Sequence, residues 1–245
     1  MIFSSAIRTI EQFDAIKHMG FGHFYVPIDV LLSNYKKLEG NDIVITLPAI
    51  ISDDVWDGYM AKLSECLRLG YGKLQVNNLS QLSQVSRFKL YGGFRLNVFN
   101  DVSLKLYEEE GLELIQPSVE LTLGQIGHLK HNVPLEVIGY GHIPVMTIEN
   151  CILKCQCNEN VYISDRMGYK FPVVKDAGIC RSVILNSNPI VMNDKLADIR
   201  NTDIVNLYFT IEQPRDCVLI AKAYFDRKPE PGKKNFTRGH MYKGV

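Results

Sequence analysis

The chain has 245 residues, 46% of them apolar and 22% charged, a composition that excludes a disulfide-stapled miniprotein and suits one large folded α/β domain. Lys plus Arg and Asp plus Glu both total 27, so no global field draws the protein to nucleic acid or to a membrane surface. The N-terminus lacks a basic stretch followed by an apolar run, and no apolar run is long enough for a bilayer; the expectation is a cytoplasmic, membrane-free protein whose six cysteines stay reduced.

Apolar runs at 3–7, 23–27, 42–47 and 73–76 read as strands, and helical periodicity falls at 9–19 and 53–69 between them. Further strands are expected at 93–98, 112–115, 135–138 and 205–209, with helical stretches at 100–110 and 122–130. Ser52, Asp53 and Asp54, and likewise Asn100 and Asp101, stand where a helix start needs acceptors for its unpaired amides. Gly20, Gly70 and Gly111 fall where a chain leaves a helix through a left-handed residue. Strands alternating with helices predict parallel strands joined by right-handed crossovers. About eight of them predict a TIM-like (βα) barrel, with an open doubly wound sheet as the alternative, and either fold works at the strand C-termini.

The rhythm breaks between the seventh and eighth strands. Residues 139–201 read as a Cys-rich loop followed by a β-hairpin, 161–163 and 171–174, around Asp165, Arg166, Met167 and Gly168. The expected organisation is one barrel domain over 1–226 that includes a metal-binding insertion at 139–201, then a basic tail, 227–245, extended and poorly ordered.

Four cysteines of this insertion, Cys151, Cys155, Cys157 and Cys180, are spaced to surround a metal. Four thiolates suit zinc or an iron–sulfur cluster, and the spacing matches neither a zinc ribbon nor a ferredoxin run. Cys66, within a helical stretch, and Cys217, at the start of the helix after strand eight, read as small core residues.

Glu136, Ile138, Gly141, Ile143 and Cys151, within EVIGYGHIPVMTIENC (136–151), fall in register with a known signature. On that stretch the chain resembles the collagenase-like peptidase family, U-thirty-two in peptidase classification. Pro144 stands where the signature has its first cysteine, and Cys155, Cys157 and Cys180 are placed to replace the lost ligand. GGFRLNVFN (92–100), PSVELTLGQI (117–126), ISDRMGYKFPV (163–173), CRSVILNSNPI (180–190) and FTRGHMYKGV (236–245) agree with the branch acting in RNA hydroxylation, and with the C-terminal barrel of its longer members. The resemblance implies a four-iron four-sulfur cluster and oxygen-independent hydroxylation of tRNA, rRNA or a small aromatic precursor, with prephenate as an oxygen source. It also implies a partner subunit or a second barrel of the same family. The alternatives are a collagenase-like peptidase and a non-catalytic module with a structural four-Cys metal site. A thiol peptidase would need a histidine beside its cysteine, and His142 is the one histidine near Cys151; no HExxH zinc motif occurs.

Several polar residues fall near the expected strand ends. Asn77, Asn97 and Glu120 either contact a polar substrate or cap loops, whereas Asn100 reads as a helix cap. His142 is an acid/base candidate or a satisfied structural histidine. Arg166 and Arg181 are candidates for holding an anionic substrate, with a turn pairing to Asp165 as the plain reading of Arg166. In the tail, Arg227, Lys228, Lys233, Lys234, Arg238 and Lys243, with Phe236 and Tyr242 among them, make either an RNA-binding run or a solvated tail.

Overall fold

The computed structural model describes residues 1–82, 85–153, 161–176, 181–228 and 235–244. The first half alternates β1 (Ile2–Ala6), α1 (Ile10–Ile16), β2 (Phe24–Pro27), α2 (Ile28–Leu38), β3 (Ile43–Thr46), α3 (Asp53–Arg68), β4 (Lys73–Val76) and α4 (Leu79–Leu82). It continues with β5 (Lys89–Gly92), α5 (Asp101–Glu109), β6 (Leu112–Ile115), α6 (Leu123–Ile126) and β7 (Glu136–Gly141). Then come β8 (Pro144–Ile148), β9 (Val161–Ser164), β10 (Lys170–Lys175), β11 (Ser182–Leu185) and β12 (Ile190–Val191), and the chain closes through β13 (Ile204–Tyr208) and α7 (Pro214–Phe225).

Helix starts follow local chemistry. Thr9 Oγ1 accepts the Gln12 amide at 3.3 Å while the Gln12 side chain accepts from Thr9 N, a reciprocal cap that opens α1. Asn100 does the same for α5, its Oδ1 taking the Ser103 amide at 2.9 Å. At α3 the expected Ser52 cap bond is not made; Asp53 and Asp54 in the first turn complement the helix dipole instead. Gly20, Gly70 and Gly111 do carry left-handed φ angles of 91°, 90° and 84°.

The large sheet has nine strands in the order β12-β7-β13-β1-β2-β3-β4-β5-β6, parallel throughout except for β12 against β7. It curls into a half-barrel. A single parallel bridge, Ile115 with Leu135, links the end of β6 to the start of β7, and Ile115 N donates to Pro134 O at 3.1 Å. The fifth strand is displaced from its expected place at 93–98. It ends at Gly92, and the chain then turns through a 3-10 helix, Phe94–Leu96, stopped by Asn97 in a left-handed conformation (φ 54°). Little space is left for a side chain at that end: a Cβ on Gly93 would lie 2.1 Å from Asn77 Oδ1. Helix α2, which the sequence reading left out, follows β2 with no intervening loop, since Pro27 both ends the strand and precedes the first helical residue.

The main apolar core lies between the outer face of the sheet and its helices, with Phe13, Ile16, Leu31, Leu63, Cys66, Leu104 and Ile220 buried in it. Each large side chain buried there contributes about 1.5–3 kcal/mol. Inside the curl the packing differs. Ala6, Tyr25 and Val44, with Tyr91 and Tyr208 against them, form a separate small cluster, and Ser4, Gln75, Gln116, Glu136 and Asn206 are buried polar residues.

Residues 144–185 correct the expectation of a loop plus hairpin. Their described strands form a four-stranded antiparallel sheet, β8-β11-β10-β9, of which the β9–β10 hairpin is one half. Asp165 does not pair with Arg166; its Oδ1 accepts the amides of Met167 and Tyr169, both at 2.9 Å, and so shapes the hairpin turn. Two arginines fasten this sheet to the half-barrel: Arg8 donates to Lys175 O, and Arg181 donates to Ile50 O at 2.6 Å. The described part of the tail is anchored rather than extended. Thr237 bridges Ile190, Met241 is buried, and Arg238 forms a two-point ion pair with Asp194 at 2.6 and 2.8 Å.

Candidate functional site at the half-barrel mouth

The C-terminal ends of the parallel strands converge on a cavity of about 100 Å³. Ala6, Tyr25, Thr46, Gln75, Gln116 and Asn206 line its strand side, and Arg8, Asn77, Arg95 and Tyr208 its rim. The small sheet roofs it with Pro144, Val183, Leu185 and Asp176. The placement follows from the alternation of strand side chains: Ser4 and Ala6, two residues apart on β1, turn the same way, toward the lumen.

Below the cavity lies Glu136, the first residue of β7, fully buried. Tyr25 OH and Gln116 Nε2 donate to its Oε2 at 2.5 and 2.6 Å, and Ser4 Oγ donates to its Oε1. His23 Nε2 lies 3.3 Å from Oε1 but off the line of a hydrogen bond. Burial alone would push the Glu136 carboxyl up; His23, Ser4 and Tyr25 together outweigh it and hold the group below the usual carboxylate range. Burial, reinforced by the Glu136 charge, drives the Tyr25 phenol well above its ordinary value.

The network extends upward. Gln116 Oε1 accepts from Gln75 Nε2 and from Phe94 N, both at 3.2 Å, and Asn77 Nδ2 reaches Gln75 Oε1 at 3.4 Å. On the other side Asn206 Nδ2 donates to Ser4 Oγ at 2.8 Å.

Positive charge gathers at the rim. Arg8 has the Lys175 carbonyl as its side-chain hydrogen-bond partner among the described residues, and Arg95 makes neither a hydrogen bond nor an ion pair among them. Burial pulls the Arg8 guanidinium down, partly offset by Tyr208 and Asp176. Burial also raises the Tyr208 phenol, against the pull of Arg95 and Arg8. A buried guanidinium, Arg8, and a half-buried one, Arg95, beside a phenol and amides have the chemistry to hold a small anion, with the Asp176 carboxylate on the roof side of the same cavity.

Of the residues singled out in the sequence, Asn77 lies at this mouth. Asn97 is on an exposed turn, and Glu120 is exposed in the loop after β6. His142 is buried between β7 and β8 with Nδ1 at 2.7 Å from Asn186 O. Arg166 is exposed on the hairpin turn. Arg181 is buried and spends its guanidinium on Glu149, at 2.7 and 2.9 Å, and on Ile50 O; the Glu149 hydrogen bonds raise its pKa. Cys151 is half-buried just after β8, while Cys155, Cys157 and Cys180 lie outside the described residues. Among the described residues no group of three or more His, Cys, Asp or Glu side chains is arranged to hold a metal ion. Cys66 and Cys217 are buried, and burial pushes both thiols up to about 12, as core packing requires. Sequence reasoning missed Arg8, Arg95, Tyr208 and Asn206. The available signal was position: Arg8 and Tyr208 fall at or just past strand ends, but the misplaced fifth strand put Arg95 inside a strand.

Fold and site together define an α/β half-barrel protein with a roofed polar mouth at its strand C-termini. Neither a protein-family profile nor a curated protein sequence matches the chain. Among solved structures the U32 peptidase Mk0906 matches 87% of this chain and 94% of its own, with a TM-score of 0.53 and 10% sequence identity. The chain therefore has the fold of a U32 peptidase, as the resemblance in its sequence implied. Among the described residues no helix is long and apolar enough to cross a membrane.

Proposed function

We propose that this chain is a redox enzyme of the U32 peptidase fold that takes a small acid in the roofed mouth, its anionic group on Arg8 and Arg95. The observation that carries this reading is the pair of guanidinium groups, neither in an ion pair among the described residues, lining a cavity of about 100 Å³ that a second sheet covers. An enclosed space of that size suits a small organic acid better than an extended polypeptide. We read the half-barrel as an eight-stranded βα barrel closing through the Ile115–Leu135 bridge, with 139–201 as its metal-bearing insertion.

Cys151, Cys155, Cys157 and Cys180 would hold an iron–sulfur cluster in that insertion, the soft donor set such a cluster takes. Support comes from the tie between the relevant chain segments: Ile152 N donates to Ser182 Oγ at 3.0 Å, next to Cys151 on one side and two residues after Cys180 on the other. A bound cluster supplies one-electron chemistry; the chain's own residues bind the acid, orient it and keep water out beneath the roof. The reaction that fits is oxygen-independent hydroxylation, in which an oxygenated organic co-substrate would give up one oxygen atom, and so be reduced by two electrons, as a C–H of the substrate becomes C–OH. A small aromatic precursor is favoured over RNA by the size of the cavity.

The structural neighbour supports a second reading, a collagenase-like peptidase. Gene deletion followed by mass spectrometry of quinone precursors and nucleosides separates the two. Loss of a hydroxylated compound, restored by the wild-type gene and not by Arg95→Met, is the expected result. Cleavage of gelatin by the purified protein, abolished by Cys151→Ala and indifferent to iron chelation, would replace hydroxylation with proteolysis.

A further inference from the structure

We propose that Asn206 selects the occupant of the mouth: its Oδ1 accepts a hydrogen bond from a hydroxyl or amino group carried by the bound acid. The inference rests on the mouth being the ligand site, and it follows from the direction of the hydrogen bonds beneath it. Phe94 N is a fixed backbone donor and points at Gln116 Oε1, so Gln116 turns its amide nitrogen to Glu136. Glu136 in turn collects donors only, from Gln116, Tyr25 and Ser4. The Ser4 proton is thereby committed to Glu136, and the oxygen of Ser4 can only accept. It accepts from Asn206 Nδ2 at 2.8 Å, which fixes the orientation of that amide.

The consequence is an acceptor with nothing to accept. Asn206 is fully buried and lines the cavity, and its Oδ1 has no hydrogen-bond partner among the described residues. A buried acceptor left unpaired is costly, and a ligand that supplies the missing donor recovers that cost on binding. The mouth thus presents donors at its rim, on Arg8 and Arg95, and an acceptor at its floor. A small acid with a hydrogen-bond donor answers both ends; the same acid without it leaves the floor unanswered, and a site built around such a group discriminates strongly against its absence.

The test uses matched acids on the intact, metal-replete protein, by isothermal titration calorimetry. Malate and aspartate are compared with succinate, and lactate and alanine with propionate, in both enantiomers. The expected result is that at least one donor-bearing acid binds about tenfold more tightly than its plain partner. Asn206→Ala, checked for folding by circular dichroism, should level that pair, and Arg95→Met should weaken both members alike. Equal or reversed affinities on the wild-type protein, with Arg95→Met still weakening both acids, would overturn the role of Asn206 and leave the anion site standing. If no acid binds, or if Arg95→Met changes nothing, the mouth is not the ligand site and both readings fall together.

Discussion

Replacing Glu136 with Gln changes the shape of the lumen little and its electrostatics completely. Three hydrogen bonds to the carboxylate, from Ser4, Tyr25 and Gln116, lose their charge assistance. A bond to a charged group contributes about 1 kcal/mol more than a neutral one, so the three together amount to about 3 kcal/mol. The new amide nitrogen must also face donors: Gln116, pinned by Phe94, on one side, or the Ser4–Asn206 pair on the other. With that conflict the loss falls within the range of about 3–5 kcal/mol for removing one partner of a buried charged pair. In a chain of 245 residues this lowers the melting temperature by about 6–20 °C. The pH dependence carries the sign. The folded carboxyl titrates below its ordinary value near 4.5, so its stabilisation is complete above that value and disappears as the pH falls through the folded one. Thermal and urea unfolding of Glu136→Gln and wild type, from neutral pH into acid, should show a wide gap at pH 7 that narrows under acid. A variant within about 1 kcal/mol of wild type at neutral pH, or a gap that never narrows, would refute the reasoning.

Arg95→Met should leave unfolding within about 0.5 kcal/mol of wild type, because the side chain has no polar partner among the described residues, while lowering turnover and weakening acid binding. Gly141→Ala should cost about 3 kcal/mol by denaturant titration: the residue holds φ at 139°, and a Cβ would meet Tyr208 O at 2.3 Å. Iodoacetamide under native conditions at neutral pH should spare Cys66 and Cys217, whose thiols burial pushes up to about 12, and label both after unfolding, as peptide mass mapping will show.

The sequence made the βα rhythm legible where punctuation was clear. β4 and β6 fall at the positions their apolar runs indicate, each shortly after a glycine that ends a helix, Gly70 or Gly111. Asn100 was legible as a cap because a short-range motif decides it. The strand at 93–98 was misread because K-L-Y-G and F-R-L-N alternate equally well, and the local pattern does not choose between them. The extent of α6, four residues against an expected nine over 122–130, is likewise set by how the chain must return to β7. The insertion drew attention through its cysteines, so β8 and β11 passed unnoticed, while β9 and β10 fall where the hairpin was read. Asn77 was found at the mouth because it follows a strand end. The Glu136 network could not be read in the sequence: Ser4 lies 132 residues from Glu136 and 202 from Asn206. The fold brings them together, and no local pattern announces it.

The most direct test of a cluster-dependent enzyme is the metal content of the protein purified without oxygen. Iron, acid-labile sulfide and zinc per chain should be measured beside Ser variants of Cys151, Cys155, Cys157 and Cys180. The account predicts about four irons and four sulfides per chain, lost when any of these cysteines changes. One zinc per chain, or no metal, would contradict it and leave the acid-binding mouth in search of a different chemistry.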